Sequence, residues 1–222
     1  MNGESKALDS ITDLKIEIIP VTPFQQNCAL IWNSGTSKAA VIDPGGDVEK
    51  IIAAIHRAQV TVEAIYLTHG HLDHAAGATE LAKALGVNII GPALQDKFLL
   101  DSLPQQAVRF GITDLKPVQP DQWLNEGQII EIGGKAFEVL HCPGHTPGHV
   151  VFINRGEKFG ILGDVLFRNS VGRTDFEYGN HDDLISAIKT KLMVLPDDFA
   201  FICGHGVNST IGAERWSNPF IR

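Results

Sequence analysis

The 222-residue chain reads as a single α/β domain, residues 1–222, built on two β-sheets. Three observations predict this. Runs rich in Ile, Leu and Val alternate with segments of helical apolar spacing between residues 14 and 90. Strand-like runs return after about residue 128. The dense His and Asp groups stand where these runs end, which is where open α/β sheets place their ligand sites. With 44% hydrophobic side chains the chain can bury one sizeable core.

Taken in order, residues 14–20, 27–32 and 38–42 form three short strands of an antiparallel meander, joined by turn formers such as Pro23 and Asn33-Ser34-Gly35. Asp43-Pro44-Gly45-Gly46 breaks the third strand, and Asp47 is placed to cap a helix whose apolar face is Val48, Ile51, Ile52 and Ile55. Ala64-Ile65-Tyr66-Leu67 ends a buried strand. A helix then runs over 77–85 with Ala78, Leu81, Ala82 and Leu85 on one face, Gly86 stops it, and Asn88-Ile89-Ile90 makes the next strand. Residues 94–103 have helical character, but Pro104, Pro117 and Pro120 predict interruption and an irregular loop. The second sheet begins at 128–132 and continues through a Gly133-Gly134 hairpin into 135–140, then 149–153 and 159–162. Leu184, Ile185, Ile188 and Leu192 mark another amphipathic helix. Residues 199–202 read as the last strand and 210–216 as a closing helix.

Several classes are disfavoured at once. A formal net charge of -8 opposes a sequence-independent grip on phosphate backbone, so nucleic acid is not an expected partner. Met1-Asn2-Gly3-Glu4-Ser5-Lys6 is polar and leads into no signal-like apolar run, and no membrane span is expected; the reading is a soluble, cytoplasmic protein. Cys28, Cys142 and Cys203 are too few and scattered for a disulfide framework and are expected to be packed, reduced thiols.

The chemistry gathers in Thr68-His69-Gly70-His71-Leu72-Asp73-His74, at a strand-to-helix turn. Side chains two apart in extended backbone project the same way. His69 and His71 can therefore share one ion while Asp73 and His74 aim elsewhere, which makes room for two. A surface loop that scavenges metal is the plainer reading, but so many ligand types directly after a buried strand argue against it. In His141-Cys142-Pro143-Gly144-His145-Thr146-Pro147-Gly148-His149, prolines and glycines fix a loop with three candidate imidazoles, and spacing does not choose among them. Asp164 ends an apolar strand and needs a cation or a set of donors. His205 lies between Gly204 and Gly206, where small neighbours permit close approach.

Together these motifs, with His145 in its Pro-Gly-His-Thr turn, resemble the metallo-β-lactamase fold superfamily along nearly the whole chain. The closest likeness is to its type II glyoxalases, the hydroxyacylglutathione hydrolases. The tail Ser209-Thr210-Ile211-Gly212, Glu214-Arg215 and Asn218-Pro219-Phe220 looks like their short single-domain branch. The resemblance implies a four-layer αβ/βα sandwich, two mixed sheets flanked by helices, with metals at the rim. It implies two divalent ions, zinc in the first instance with iron or manganese as alternatives. His69, His71 and His145 would hold one, Asp73, His74 and His205 the other, and Asp164 would bridge them. Cys203 stands where the family often has proline, and a looser loop that touches no ligand is expected there. The long glyoxalases carry a helical carboxy-terminal domain; a short-branch relative is expected to bind glutathione thioesters with modest affinity.

Asp73 is the expected catalytic residue, ligating a metal and orienting the attacking hydroxide. A thiolate, from a thiol of pKa about 8.5, leaves without an acid's help, which favours a thioester over an amide. Arg173, in Gly172-Arg173-Thr174-Asp175-Phe176, is a candidate for a substrate carboxylate and Tyr178 for a further contact; Arg173 paired with Asp175 or Glu177 is the structural alternative. The rival activity is an iron-dependent persulfide dioxygenase, since those enzymes resemble this scaffold and its Arg173 segment. Motifs do not separate the two.

Overall fold

A computed structural model describes residues 13–221; the polar stretch Met1-Asn2-Gly3-Glu4-Ser5-Lys6 lies outside the described residues. Two sheets stack face to face. The first has strands β1 (Leu14–Val21), β2 (Gln26–Asn33), β3 (Lys38–Ile42), β4 (Thr61–Tyr66) and β5 (Asn88–Ile90) in that spatial order. β1, β2 and β3 form the expected antiparallel meander, and β4 and β5 join in parallel through helical crossovers. The helices are α1 (Val48–Ala58), the single turn α2 (Leu72–Ala75), α3 (Ala78–Leu85), α4 (Lys97–Asp101) and α5 (Leu103–Val108). The second sheet contains β6 (Ile129–Ile132), β7 (Lys135–His141), β8 (Val150–Asn154) and β9 (Phe159–Gly163). A two-stranded ribbon, β10 (Leu166–Phe167) and β11 (Ser170–Val171), follows, then α6 (His181–Ala187), a π-helical turn at Ile188–Leu192, β12 (Ala200–Cys203), β13 (Ser209–Thr210) and α7 (Ile211–Ser217). The spatial order of that sheet is β13-β12-β9-β8-β7-β6, with β12 parallel to β9.

Strand alternation builds three apolar layers. In β8, Val150 and Phe152 face the first sheet, while Val151 and Ile153 face the helices on the other side. In β3, Ala40 and Ile42 meet that central layer, whereas Ala39 and Val41 pack with Ile51 and Ile55 of α1. Both faces of both sheets are therefore covered, which gives the αβ/βα sandwich. No helix among the described residues is long and apolar enough to cross a membrane.

Several local expectations are corrected. Asp47 precedes α1 but makes no cap: its φ of 48° turns the side chain away, and Oδ2 accepts from the Thr22 amide at 2.9 Å. Pro104 does not interrupt; it sits in the first turn of α5, where a missing amide hydrogen costs nothing. Residues 200–203 are not the last strand, because β13 follows, and the 210–216 helix starts one residue later, with Thr210 accepting the Ala213 amide at 3.2 Å. The ribbon β10–β11 was not read from the sequence; two-residue strands leave no periodicity to detect.

Candidate metal centre

Every candidate ligand sits on a loop leaving the end of a strand, and each loop is tied by backbone donors. After β4, Thr68 gives its amide and hydroxyl to the two oxygens of Asp43, at 2.7 and 2.6 Å. The Gly70 amide donates to Asp96 Oδ2 at 2.8 Å. His71 then occupies the position before α2, so Asp73 and His74 fall within that helical turn. In the β7–β8 loop, Thr146 Oγ1 and the Gly148 amide donate to the same Asp96, at 2.7 and 2.5 Å. Asp164, just past β9, donates its amide to His149 Nε2 at 3.0 Å. The loop after β12 is held by Gly204 N to Gly163 O at 2.8 Å and by Asn27 Nδ2 to the carbonyls of Cys203 and Gly206. Gly204 must be glycine: a Cβ there would overlap Asp164 Oδ1.

These loops bring the seven predicted residues into two adjoining groups. His69 Nε2 and His145 Nε2 lie 3.1 and 2.9 Å from His71 Nδ1. Beside them, His205 Nε2 is 3.1 Å from Asp73 Oδ2 and 3.4 Å from His74 Nε2. In each triad the ligand atoms fall within 4.8 Å of one another. Asp164 stands between the triads, with Oδ1 3.3 Å from His74 Nε2 and Oδ2 3.5 Å from His145 Nε2 and 3.7 Å from His205 Nε2. Asp43, His69 and His74 meet the same spacing. There, however, the Asp43 oxygens already accept from Thr68 and from His74 Nδ1 at 3.0 Å.

Outer hydrogen bonds fix which ring nitrogen faces inward. His145 Nδ1 donates to Arg173 O at 2.8 Å and His205 Nδ1 to Phe24 O at 3.3 Å; a carbonyl only accepts, so both Nε2 atoms present lone pairs. Thr68 Oγ1, having given its proton to Asp43, accepts from His69 Nδ1 at 3.1 Å, and Asp43 takes the His74 Nδ1 proton. His71 Nε2 meets the Tyr178 hydroxyl at 2.8 Å. Three imidazole lone pairs thus converge at His69, His71 and His145, and the buried Asp164 Oδ1 has no hydrogen-bond partner. Lone pairs and a carboxylate at this spacing fit cations.

The electrostatics agree. Burial, reinforced by the neighbouring imidazoles, holds His69 far below the ordinary histidine range and lowers His71 to about 3, so both are neutral donors at pH 7. Burial opposes ionisation of Asp164, but His74, His145 and His205 outweigh it and keep the carboxyl ionised well below its usual range. For His74 burial lowers the pKa, and the Asp164 and Asp73 carboxylates reverse that into a strong rise.

Of the imidazoles that spacing left open, His141 Nε2 donates to Pro147 O at 2.8 Å and leaves the centre, while His149 is buried behind it and braces Asp164. The Arg173 guanidinium forks onto Asp175, at 2.7 and 2.8 Å, and lies over the Phe176 ring; it is the Arg173 carbonyl that serves the centre, through His145. The expected loosening at Cys203 is overturned. Its thiol donates toward the His205 and Val207 carbonyls, 3.1 and 3.3 Å away, tying the loop and touching the backbone of a candidate ligand. All three cysteines are unpaired and buried. Asp43 and Asp96 were missed. Each is a lone acidic residue in sequence, and Asp43 looked like a strand breaker only; its φ of 51° does turn the chain.

Tyr178→Phe is expected to weaken metal affinity about tenfold while leaving thermal stability near that of the parent, because it removes only the outer partner of His71. Competition with a chromogenic chelator measures this. Unchanged affinity would leave Tyr178 as packing alone.

The centre opens into a cavity of about 1030 Å³ with aromatic walls that include Phe24, Phe98, Phe110, Phe176 and Tyr178. Phe176 and Tyr178 stack at 5.2 Å, and Phe98 meets Tyr178 edge-on at 5.3 Å.

Residues 21–205 match the family model of the metallo-beta-lactamase superfamily. The chain is 51% identical over 209 residues to the hydroxyacylglutathione hydrolase GloC of Haemophilus influenzae, covering 94% of this chain and 98% of that protein. Among solved structures it resembles the BLEG-1 B3 metallo-beta-lactamase, with a TM-score of 0.85 and 33% identity over 93% of this chain and 99% of that one. It also resembles TTHA1623 in a di-iron-bound form, with a TM-score of 0.82 and 34% identity over 92% and 99%.

Proposed function

The chain belongs to the metallo-beta-lactamase superfamily, and from that premise we propose that it is a metal-dependent thioester hydrolase of the glyoxalase II type, cleaving an S-(2-hydroxyacyl)glutathione such as S-lactoylglutathione to a 2-hydroxy acid and glutathione. The observation that carries the reading is the 51% identity, over nearly the full length of both chains, to a hydroxyacylglutathione hydrolase. The two ligand groups about Asp164 support it.

His69, His71 and His145 would hold one divalent ion and Asp73, His74 and His205 the second, with Asp164 shared; zinc is the proposed metal. Bound there, two such ions supply a water acidified toward neutral pH and a Lewis acid for the thioester carbonyl. The chain's own residues do the rest. Asp73, its side chain partly exposed to the cavity, has the free edge to accept a proton from the attacking water and orient it. Phe176 and Tyr178 wall the reacting end and keep bulk water from it. The leaving thiolate needs no proton donor, and the cavity lining offers no lysine to serve as one. Residues 1–222 are read as one domain. The proposed setting is the cytoplasm, where reduced glutathione abounds and three unpaired cysteines persist.

Zinc-loaded protein is expected to release thiol from S-lactoylglutathione with saturation kinetics and to take up no oxygen with glutathione persulfide. Rapid oxygen uptake by iron-loaded protein, with no thioester cleavage by the zinc form, would reassign the site to persulfide dioxygenation.

A further inference from the structure

Two arginines line the cavity, and only one is committed. Arg173 is neutralised by its fork to Asp175. Arg109, the residue that ends α5, has no hydrogen-bond, ion-pair or ring partner for its guanidinium among the described residues, and it is exposed. Four residues before it, Gln105 also lines the cavity with an unpartnered amide, so the two stand on one face of α5. The neighbouring Gln106 is different: its amide is spent on Leu99 O and Ser102 Oγ.

We infer that Arg109, with Gln105 beside it, is the recognition group for a carboxylate carried by the thiol half of the substrate. The inference rests on the thioester reading above and specifies its substrate class: an acyl thioester of an anionic, peptide-like thiol. The cavity has a polar metal-ligating end at His71, Asp73 and His145, an apolar stretch at Phe98 and Leu99, and then this open cation. A thioester laid along it puts the acyl carbonyl at the metal end and the body of the thiol on the aromatic wall. A chain of net charge -8 repels an anionic ligand at long range, so a local uncommitted guanidinium is what makes such a ligand acceptable. Phe110 packs edge-on to Phe24 at 5.0 Å, and Phe24 O holds His205 Nδ1; the segment that carries Arg109 is thereby docked against the metal loop.

The test pairs two thioesters of one acyl group, one on glutathione and one on the neutral thiol N-acetylcysteamine. Arg109→Ala is expected to raise KM for the glutathione thioester about tenfold with kcat within about twofold, and to leave kcat/KM for the neutral thioester unchanged. Arg109→Lys should recover most of the loss. Titration calorimetry with glutathione alone should show the same weakening in Kd, which keeps the test independent of turnover. Equal losses on both thioesters, or no loss on either, would overturn the assignment. Wild-type protein that cleaves neither thioester yet binds glutathione through Arg109 would sink the hydrolase reading and leave the anion site standing.

Discussion

Asp164→Ala is expected to lose turnover by about a thousandfold or more and to lose metal approaching both equivalents, the largest effect of any single substitution considered. The carboxylate stands within 3.7 Å of ring nitrogens from both triads, so its removal takes one donor from each position and leaves the charge of two cations less balanced. Asp164→Asn separates the two contributions, since it keeps the shape and removes the charge. Elemental analysis after gel filtration, read beside steady-state rates, checks the claim. A variant that retains two tightly held ions and near-parental turnover would show that the two triads load without a shared bridge.

Asp96→Ala carries the second large effect, on folding more than on chemistry. Asp96 is fully buried and accepts from Gly70 N, Thr146 Oγ1 and Gly148 N, one donor from the first histidine loop and two from the second. Burial pushes its carboxyl up to about 6 against the pull of those donors, so near pH 7 it is mostly ionised and all its acceptor capacity is in use. Truncation leaves three buried donors unmatched, at about 1–3 kcal/mol each, and a loss of about 3–6 kcal/mol is expected. Urea unfolding should show the midpoint falling with little change in slope. Metal content should fall too, because both loops lose the anchor that spaces His69 and His71 from His145. An unchanged midpoint would mean that the loops are held by their own turns.

How much could be read in advance follows from how contacts are distributed along the chain. The first histidine motif was legible because four ligands fall within six residues after an apolar strand, and the layers were legible because strand and helix periods differ. The supports were not. Asp43 reaches Thr68 across 25 residues, and Asp96 reaches Gly70 across 26 and Thr146 across 50. A single carboxylate carries no periodicity to announce such a partner. The same limit explains Arg173, whose guanidinium found its anion two residues away while its backbone found His145 across 28. Cys203 was misjudged because a thiol was compared with proline for stiffness alone, and its hydrogen bond to His205 O lay outside that comparison.

The ligands divide evenly in origin: His69, His71, Asp73 and His74 leave the first sheet after β4, whereas His145, Asp164 and His205 leave strands of the second. Each triad therefore spans the seam between the halves, with His145 joining His69 and His71 in one and His205 joining Asp73 and His74 in the other. An ion seated in either triad acts as a cross-link between halves far apart in the chain. By mass action it opposes their separation, adding about 2.7 kcal/mol when free metal stands at a hundred times its Kd. Proteolysis of partly opened molecules should then slow as metal is titrated in. A cell short of metal would lose the protein as well as its activity.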